Sequence, residues 1–217
     1  MALRYRLTRA AELAEASYTG KPHAQISYQW KASLDVSDVQ AHLLTDNTLL
    51  IPGSNSIRDY IRYNLRIQRL GKRRLKLANQ ISNAPITWHQ GFLAHAKIVQ
   101  DWLMDNNFTP AFVIGHSLGA ASAQILSAGW AIPAIAFAAP RPCRTATAQM
   151  AARYCLCVNR TDDGVCKLPG GFHHLGDVRA CKPRGPSPGM DHAMPHYRKI
   201  VDEGLAAQKL PATWPLR

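Results

Sequence analysis

The sequence predicts an α/β fold with a mainly parallel central sheet, helices on both faces and an antiparallel hairpin near the N-terminus. Apolar strand-like and helical segments alternate in the second half of the chain, which is typical of parallel sheets. Two strand-like segments, 39–44 and 48–51, are joined by a Thr-Asp-Asn turn, and an apolar strand runs directly into a helix at Ser117. With 217 residues the chain can bury one sizeable core, so we expect a single domain over 1–217.

Each element is predicted from the period of its apolar residues and from the turn or cap residues at its ends. Period-2 or continuous apolar runs indicate strands, and 3.6-residue periods indicate helices. The predicted order is a helix over 10–16 capped by Thr8, strands over 25–31, 39–44 and 48–51, a helix over 57–65 capped by Ser56, a short strand over 86–89, a helix over 92–106, a strand over 112–116, a helix over 118–129, a strand over 132–138, a helix over 144–153, a strand over 154–160, a loop over 161–189 and a helix over 192–206.

The segment Gly115-His116-Ser117-Leu118-Gly119 has the form of a nucleophile elbow. A strand that becomes a helix within one or two residues holds its turn residue in a strained conformation, and glycines two positions away leave room for the close crossing. Ser117 would then stand at the sheet edge, with the N–H of Leu118 directed at the same point from the first helical turn. By itself the pattern also occurs by chance in many chains.

A serine nucleophile requires a histidine to accept its proton and a carboxylate to orient that histidine. In an elbow-type enzyme these partners follow the serine in the order acid, then histidine, on loops after later strands. The next strand that ends in carboxylates is 154–160, so the residues alone leave open Asp162 or Asp163 as the acid and His173, His174, His192 or His196 as the base.

Six segments, in the same order along the chain, resemble the motifs of the class 3 (fungal-type) lipases of the α/β-hydrolase superfamily. The resemblance runs from about residue 39 to residue 197. It implies an α/β-hydrolase fold and hydrolysis of acyl esters. The segments are the oxyanion segment at 50–60, His-Gln-Gly-Phe at 89–92, Gly-His-Ser-Leu-Gly-Ala at 115–120, Phe-Ala-Ala-Pro-Arg at 137–141, Asp-Gly-Val-Cys-Lys-Leu-Pro at 163–169 and His-Ala-Met-Pro-His-Tyr at 192–197.

The resemblance implies a role for each matching residue. Ser117 would be the nucleophile, Asp163 the orienting acid and His192 the general base, with the N–H groups of Ser54 and Leu118 as the oxyanion hole. Asp162 competes with Asp163, and His196 with His192, since only the fit of the neighbouring motif residues separates them. Four other histidines, His89, His116, His173 and His174, are interpreted as structural or packed side chains.

Ile51-Pro52 and Tyr60 depart from the family pattern, which has Phe-Arg and Trp there. The insert at 68–82 is also longer and more basic than the family pattern predicts. One hypothesis is that the helix at 57–65 and the basic residues at 62–76 form a lid or docking face for anionic lipid. The alternative is a fixed helix beside a solvated loop.

The formal net charge is +12, and seven of the basic residues lie between Arg62 and Lys76. An anionic membrane surface or a solvated face is preferred to nucleic acid as the explanation, because only Tyr60 and Tyr63 could stack on bases there. No apolar run approaches the roughly 18 residues of a membrane span. The glutamates at 12 and 15 interrupt any signal-peptide core, so a cytoplasmic location is expected.

The function predicted from these residues is a serine ester hydrolase for acyl glycerols or related lipid esters, without metal or organic cofactor. A phospholipase or a short-chain or aromatic esterase would use the same triad, and a catalytically silent binding protein would keep the same fold. A zinc-dependent hydrolase would leave the elbow unexplained. A zinc site at Cys155 and Cys157, completed by His173, His174 or Cys181, is an alternative to small buried thiols, which are preferred.

Overall fold

A computed structural model describes residues 3–19, 29–36, 38–53, 87–144, 154–184 and 192–216, and the structural statements below concern these residues. Their helices and strands are β1 (Tyr5–Arg6), α1 (Leu7–Ala16), β2 (Trp30–Val36), β3 (Val39–Leu44), β4 (Thr48–Ile51), α2 (Gln90–Asp105), β5 (Phe112–His116), α3 (Leu118–Trp130), β6 (Ala134–Phe137), β7 (Cys155–Arg160), β8 (Asp177–Cys181), α4 (Met194–Ala206) and β9 (Thr213–Trp214), with 3₁₀ turns at Ser17–Thr19 and Gly164–Lys167.

Seven of the strands form one sheet in the order β2-β3-β4-β5-β6-β7-β8. The pairs β2–β3 and β3–β4 are antiparallel, and every pair from β4 to β8 is parallel. β1 and β9 pair separately and bring the two ends of the described chain together. The predicted α/β fold, with its mainly parallel sheet and its antiparallel N-terminal strands, is confirmed.

The parallel register aligns the carboxyl ends of β4, β5 and β7 along one edge of the sheet. Gly115 of β5 lies opposite Ile51 of β4, and Phe137 of β6 lies between His116 and Val158. Open α/β sheets place their ligand sites at this edge, because the loops that follow the strands converge there. The residue after β5 is Ser117, so the predicted elbow lies at this edge.

Helices cover both faces of the sheet, as the sequence predicts. Phe112 and Ile114 of β5 point into the core shared with α1 and α4, whereas Val113 points into the core shared with α2 and α3. This alternation follows from the two-residue period of a strand that is buried on both sides. The two apolar layers pack the sheet between its helices. They thereby fix the edge of the sheet from which the loops extend.

Several element boundaries differ from the predictions. The first helix begins at Leu7, so Thr8 lies inside it and is not its cap. Contacts with the C-terminal segment set this start. β1 pairs with β9 immediately before the helix, and the Leu7 amide donates to the carbonyl of Ala212 at 3.1 Å. Of the predicted strand at 86–89, the described residues 87–89 form only a bridge between Trp88 and Cys143.

The region predicted as a loop at 161–189 contains a 3₁₀ turn and the edge strand β8. The strand pattern of β8 in the sequence is weak, because the charged residues Asp177 and Arg179 lie on this partly exposed strand.

The first predicted strand, at 25–31, ends too early, because β2 extends to Val36. Residues 25–28 of that predicted strand lie outside the described ranges. So do the predicted helix at 57–65, nearly all of that at 144–153 and Ser54. The single-domain assignment stays a prediction.

The other predicted elements are confirmed, with bounds that differ by up to two residues. They are the hairpin strands 39–44 and 48–51, the helices 92–106, 118–129 and 192–206, and the strands 112–116, 132–138 and 154–160. Within the described ranges, no helix is both long and apolar enough to cross a membrane.

Candidate active site

Ser117 occupies a sharp turn between β5 and α3, with φ 61° and ψ −120°. Such a positive φ is strained for a residue with a Cβ and is held only where the surrounding structure enforces it. The flanking glycines explain how the turn fits. A Cβ on Gly115 would collide with the backbone of Gly119, and one on Gly119 would collide with the carbonyl of Ile51. The start of α3 therefore crosses against the ends of β4 and β5, and the serine on this turn is only 1% exposed.

Three of the predicted side chains form a continuous hydrogen-bonded chain. The Ser117 Oγ lies 2.5 Å from Nε2 of His192, and Nδ1 of the same imidazole lies 2.7 Å from Oδ2 of Asp163. These residues follow β5, β8 and β7 and meet at the carboxyl edge of the sheet. The Asp163 side chain is 1% exposed, whereas that of His192 is 16% exposed. The imidazole thus bridges a buried carboxylate and a serine at the edge of the site.

The Asp163 carboxylate is fixed by two further donors. The Tyr197 hydroxyl donates to Oδ2 at 2.8 Å, and the amide of Val165 donates to Oδ1 at 2.9 Å. Burial by itself raises the pKa of Asp163, but the bonds from His192, Tyr197 and Val165 outweigh it and hold the pKa below its ordinary value. Asp163 is therefore ionised in the range where a neutral imidazole can accept a proton.

The competing acid, Asp162, makes different contacts. Both of its carboxylate oxygens accept from the guanidinium of Arg160, at 3.1 and 2.9 Å. Arg160 itself is buried at the end of β7 and also donates to the carbonyl of His196. Asp162 thus neutralises a buried arginine beside the site, while Asp163 contacts the imidazole.

The other histidines lie away from the serine hydroxyl or serve local structure. His196 is exposed on α4. His89 is the N-cap of α2, where its Nδ1 accepts from the amide of Phe92. His174 donates from Nε2 to the carbonyl of Ala139 at 2.8 Å, and the amide of His173 donates to Cys143. The interpretation of these residues as structural agrees with their contacts.

One half of the predicted oxyanion hole is described. Leu118 begins α3, and the first N–H groups of a helix have no acceptor within it. Its amide is therefore a donor beside the Ser117 hydroxyl, at the positive end of the helix dipole. Ser54, the other predicted donor, lies outside the described residues. Its neighbour Gly53 adjoins the serine, since a Cβ there would approach that of Ser117 to 2.7 Å.

Two residues beside the triad carry contacts that the sequence analysis did not assign. Tyr18, from the 3₁₀ turn after α1, lies against Gly53 and His116. His116 is buried under the imidazole of His192, with ring centroids 5.0 Å apart. No local pattern indicates these contacts, because Tyr18 and His116 are 98 positions apart in sequence.

The five cysteines are buried and form no disulfide bond. Cys155 and Cys157 share one face of β7, as predicted, and this face packs into the core with α2 and α3. Among the described residues, no three metal-ligating side chains come together, so the alternative zinc site at these cysteines finds no support there. The thiols are small apolar core groups.

Neither a protein-family model nor a curated protein sequence matches the chain. Solved structures do. The Rhizomucor miehei lipase in its propeptide complex is 20% identical over 84% of this chain and 69% of that one, with a TM-score of 0.56. Lip2 lipase from Yarrowia lipolytica is 16% identical over 82% and 78%, with a TM-score of 0.58. A lipase from Rhizopus microsporus var. chinensis is 16% identical over 89% and 82%, with a TM-score of 0.57.

These likenesses extend across most of the chain and confirm that it has the α/β-hydrolase fold of fungal lipases. The resemblance in the sequence motifs and the likeness in three dimensions therefore agree. At 16 to 20% identity the likeness establishes the fold, and the chemistry of this chain has to be argued from its own residues.

Proposed function

We propose that the protein is a serine ester hydrolase that acts on acyl glycerols or related lipid esters through an acyl-enzyme. The observation that carries this proposal is the hydrogen-bonded chain from Ser117 through His192 to Asp163, beside a strained serine turn. Nucleophile, base and orienting acid require this order of contacts. The likeness to proteins named as lipases supports the lipid ester as the substrate class.

In the first half-reaction the Ser117 Oγ attacks the acyl carbon while Nε2 of His192 accepts the hydroxyl proton. The ionised Asp163 stabilises the imidazolium that forms. The negative charge on the former carbonyl oxygen is stabilised by the amide of Leu118 and, as the sequence predicts, by that of Ser54. Collapse expels the alcohol, which takes the proton from His192, and leaves the acyl group on Ser117. Water then attacks the acyl carbon with His192 as base, releasing the carboxylic acid.

Labelling with a fluorophosphonate probe tests this proposal, because the probe phosphonylates only an activated serine. We expect the wild type to be labelled and Ser117→Ala to be inert. Ser122→Ala is the matched control, since Ser122 also contacts a histidine and lies on α3, the helix that Ser117 directly precedes. Absence of labelling in the wild type at neutral pH would favour a silent binding protein with the same fold.

The substrate class is tested by hydrolysis of p-nitrophenyl esters of increasing acyl length, with and without an emulsion interface. A long-chain optimum with a gain at the interface supports a lipase. A short-chain optimum without that gain indicates an esterase, and preference for phospholipid vesicles indicates a phospholipase.

Docking of the basic 62–76 segment on anionic lipid is a further proposal that rests on the sequence alone. Equal, salt-insensitive rates on anionic and zwitterionic vesicles would remove it.

A further inference from the structure

A line of hydrogen bonds runs beneath the candidate site, from the loop before Ser54 to the backbone of the candidate base. The amide of Gly53 lies 2.7 Å from the Tyr18 hydroxyl. That hydroxyl lies 2.5 Å from Nδ1 of His116. Nε2 of His116 lies 2.8 Å from the carbonyl of His192. Four segments remote in sequence are joined by three contacts.

The direction of every bond in this line follows from its two ends. A backbone amide can only donate, so the Tyr18 oxygen accepts from Gly53. A backbone carbonyl can only accept, so His116 carries its proton on Nε2 and donates to His192. Nδ1 of His116 is then a lone pair, and the Tyr18 hydroxyl proton points at it. Both polar ends of a buried imidazole are satisfied, with no choice of tautomer left.

The protonation states agree with this arrangement. Burial lowers the pKa of His116 to about 3, so the imidazole is neutral at ordinary pH. Burial also raises the pKa of Tyr18, so its hydroxyl keeps the proton that it donates. A neutral histidine with one donor and one acceptor is the form that the line requires.

We propose that Tyr18 and His116 are a positioning pair that holds the backbone of His192 and that of Gly53, two residues after β4, in register with Ser117. The proposal rests on the proposed function, because it assigns the pair to alignment of that same site. His116 is suited to this task since it directly precedes Ser117 in the chain. Its contact with the His192 carbonyl ties the base to the residue beside the nucleophile.

The pair acts on two partners of the serine at once. On one side it fixes the main chain from which the His192 imidazole projects. On the other it fixes the Gly53 amide, which donates to the Tyr18 hydroxyl beside the Ser117 side chain. Displacing catalytic groups by about 1 Å costs on the order of 10²-fold in rate, so loss of this alignment affects kcat more than substrate binding.

Tyr18→Phe is the central test, because it removes both hydrogen bonds and keeps the ring. Tyr5→Phe is the matched control. The Tyr5 hydroxyl also makes two side-chain hydrogen bonds, to Asp46 and Thr48, but its ring packs on Phe112 at the opposite end of β5. We expect kcat to fall about 10- to 100-fold in Tyr18→Phe, with little change in KM. Tyr5→Phe retains the wild-type kcat, although both variants lose some thermal stability.

Two substitutions of His116 each remove one of its two hydrogen bonds and keep the other. In His116→Gln the side-chain amide takes the place of Nε2 and can donate to His192, but the contact with Tyr18 is lost. In His116→Asn the side-chain oxygen takes the place of Nδ1 and can accept from Tyr18, but the contact with His192 is lost. We expect His116→Asn to lower kcat more than His116→Gln, because it releases the base itself.

A kcat of Tyr18→Phe equal to that of Tyr5→Phe would overturn the proposal. The proposal would also be overturned if the kcat of the two His116 variants fell only in proportion to their melting temperatures. A wild type that fluorophosphonate does not label would instead overturn the proposed function. In that case the role of the Tyr18–His116 pair is tested by the NMR signal of the proton between His192 and Asp163. The pair is supported if the signal shifts in Tyr18→Phe and not in Tyr5→Phe, and it is rejected if both match the wild type.

Discussion

Two of the serine–histidine hydrogen bonds among the described residues are similar in length and differ in their surroundings. At the sheet edge, Ser117 lies 2.5 Å from His192. Five residues further along the chain, inside the layer between α2 and α3, Ser122 lies 2.7 Å from Nδ1 of His95. Both pairs are short hydrogen bonds between a hydroxyl and an imidazole, so the hydrogen bond alone does not distinguish a candidate nucleophile from a structural contact.

The surroundings separate the two pairs. His192 is partly exposed and its second nitrogen contacts the Asp163 carboxylate. His95 is buried, no carboxylate of the described residues is hydrogen-bonded to it, and burial lowers its pKa to about 4. Ser117 has a strained backbone, whereas Ser122 is an ordinary helical residue. The candidate serine thus differs from Ser122 in having a carboxylate on its histidine, a partly exposed imidazole and a strained backbone.

The largest effect is expected from His192→Ala. Without the base no group accepts the Ser117 proton, so kcat should fall by about 10⁶-fold in steady-state ester hydrolysis. His95→Asn is the control from the other pair, and it should keep the wild-type kcat while losing stability through a poorer contact with Ser122. If the two variants lost activity equally, the distinction between the pairs would be wrong.

Asp163→Asn should rank next, with a loss of about 10⁴-fold in kcat. The amide would donate to Nδ1 of His192, leaving the proton on Nε2, where the imidazole can no longer accept from the serine. Asp162→Asn, which keeps an oxygen for Arg160, should retain most of the activity. Stopped-flow kinetics on both variants measure the difference, and similar losses would overturn the choice of acid.

Tyr197→Phe should lower kcat less than His192→Ala or Asp163→Asn does. It removes a hydroxyl that donates to Asp163 but leaves the His192 and Val165 contacts in place. A hydrogen bond to a charged group contributes about 1.5 kcal/mol or somewhat more, so kcat should fall about 10-fold. An unchanged kcat would show that the carboxylate is held without the tyrosine.

The protonation of two buried histidines should change the stability of the protein and not its rate. The pKa values of His116 and His95 in the folded protein, about 3 and about 4, lie below the ordinary 6.5. Between those values the unfolded chain binds protons that the folded protein excludes, so the free energy of unfolding falls as the pH drops. Two such histidines give a slope of about 2.5 kcal/mol per pH unit near pH 5.

Urea unfolding at pH 5 to 7 measures the slope, and His95→Asn should lower it by about 1.2 kcal/mol per pH unit near pH 5, which is the share of the one titrating group removed. Stability that does not change between pH 7 and pH 5 would contradict the burial of these neutral histidines.

The nucleophile side of the site could be predicted from sequence because its determinants are local. Gly115, Ser117 and Gly119 lie within five residues, and the close crossing that requires both glycines belongs to the same turn. The order of strands and helices around it is likewise encoded in short apolar periods. The fold class and most elements of the second half were predictable for this reason.

The remaining features depend on contacts between distant segments. Asp162 and Asp163 are adjacent, and only the place of Arg160 and His192 in the folded protein separates them. The start of α1 depends on β9 at the far end of the chain, so Thr8 was a misleading cap signal. β8 carries charges on an exposed edge and lacks the apolar pattern of the inner strands. The Tyr18–His116 contact has no local signature at all.

The most direct test of Ser117 as the nucleophile is to trap the acyl group during turnover. The reaction with a p-nitrophenyl ester is quenched with acid in the pre-steady state, and the chain is digested and mapped by mass spectrometry. We expect one acyl group per chain on the peptide that contains Ser117, formed together with a burst of nitrophenol. An acyl group on another residue, or hydrolysis by Ser117→Ala at the wild-type rate, would contradict the proposed chemistry.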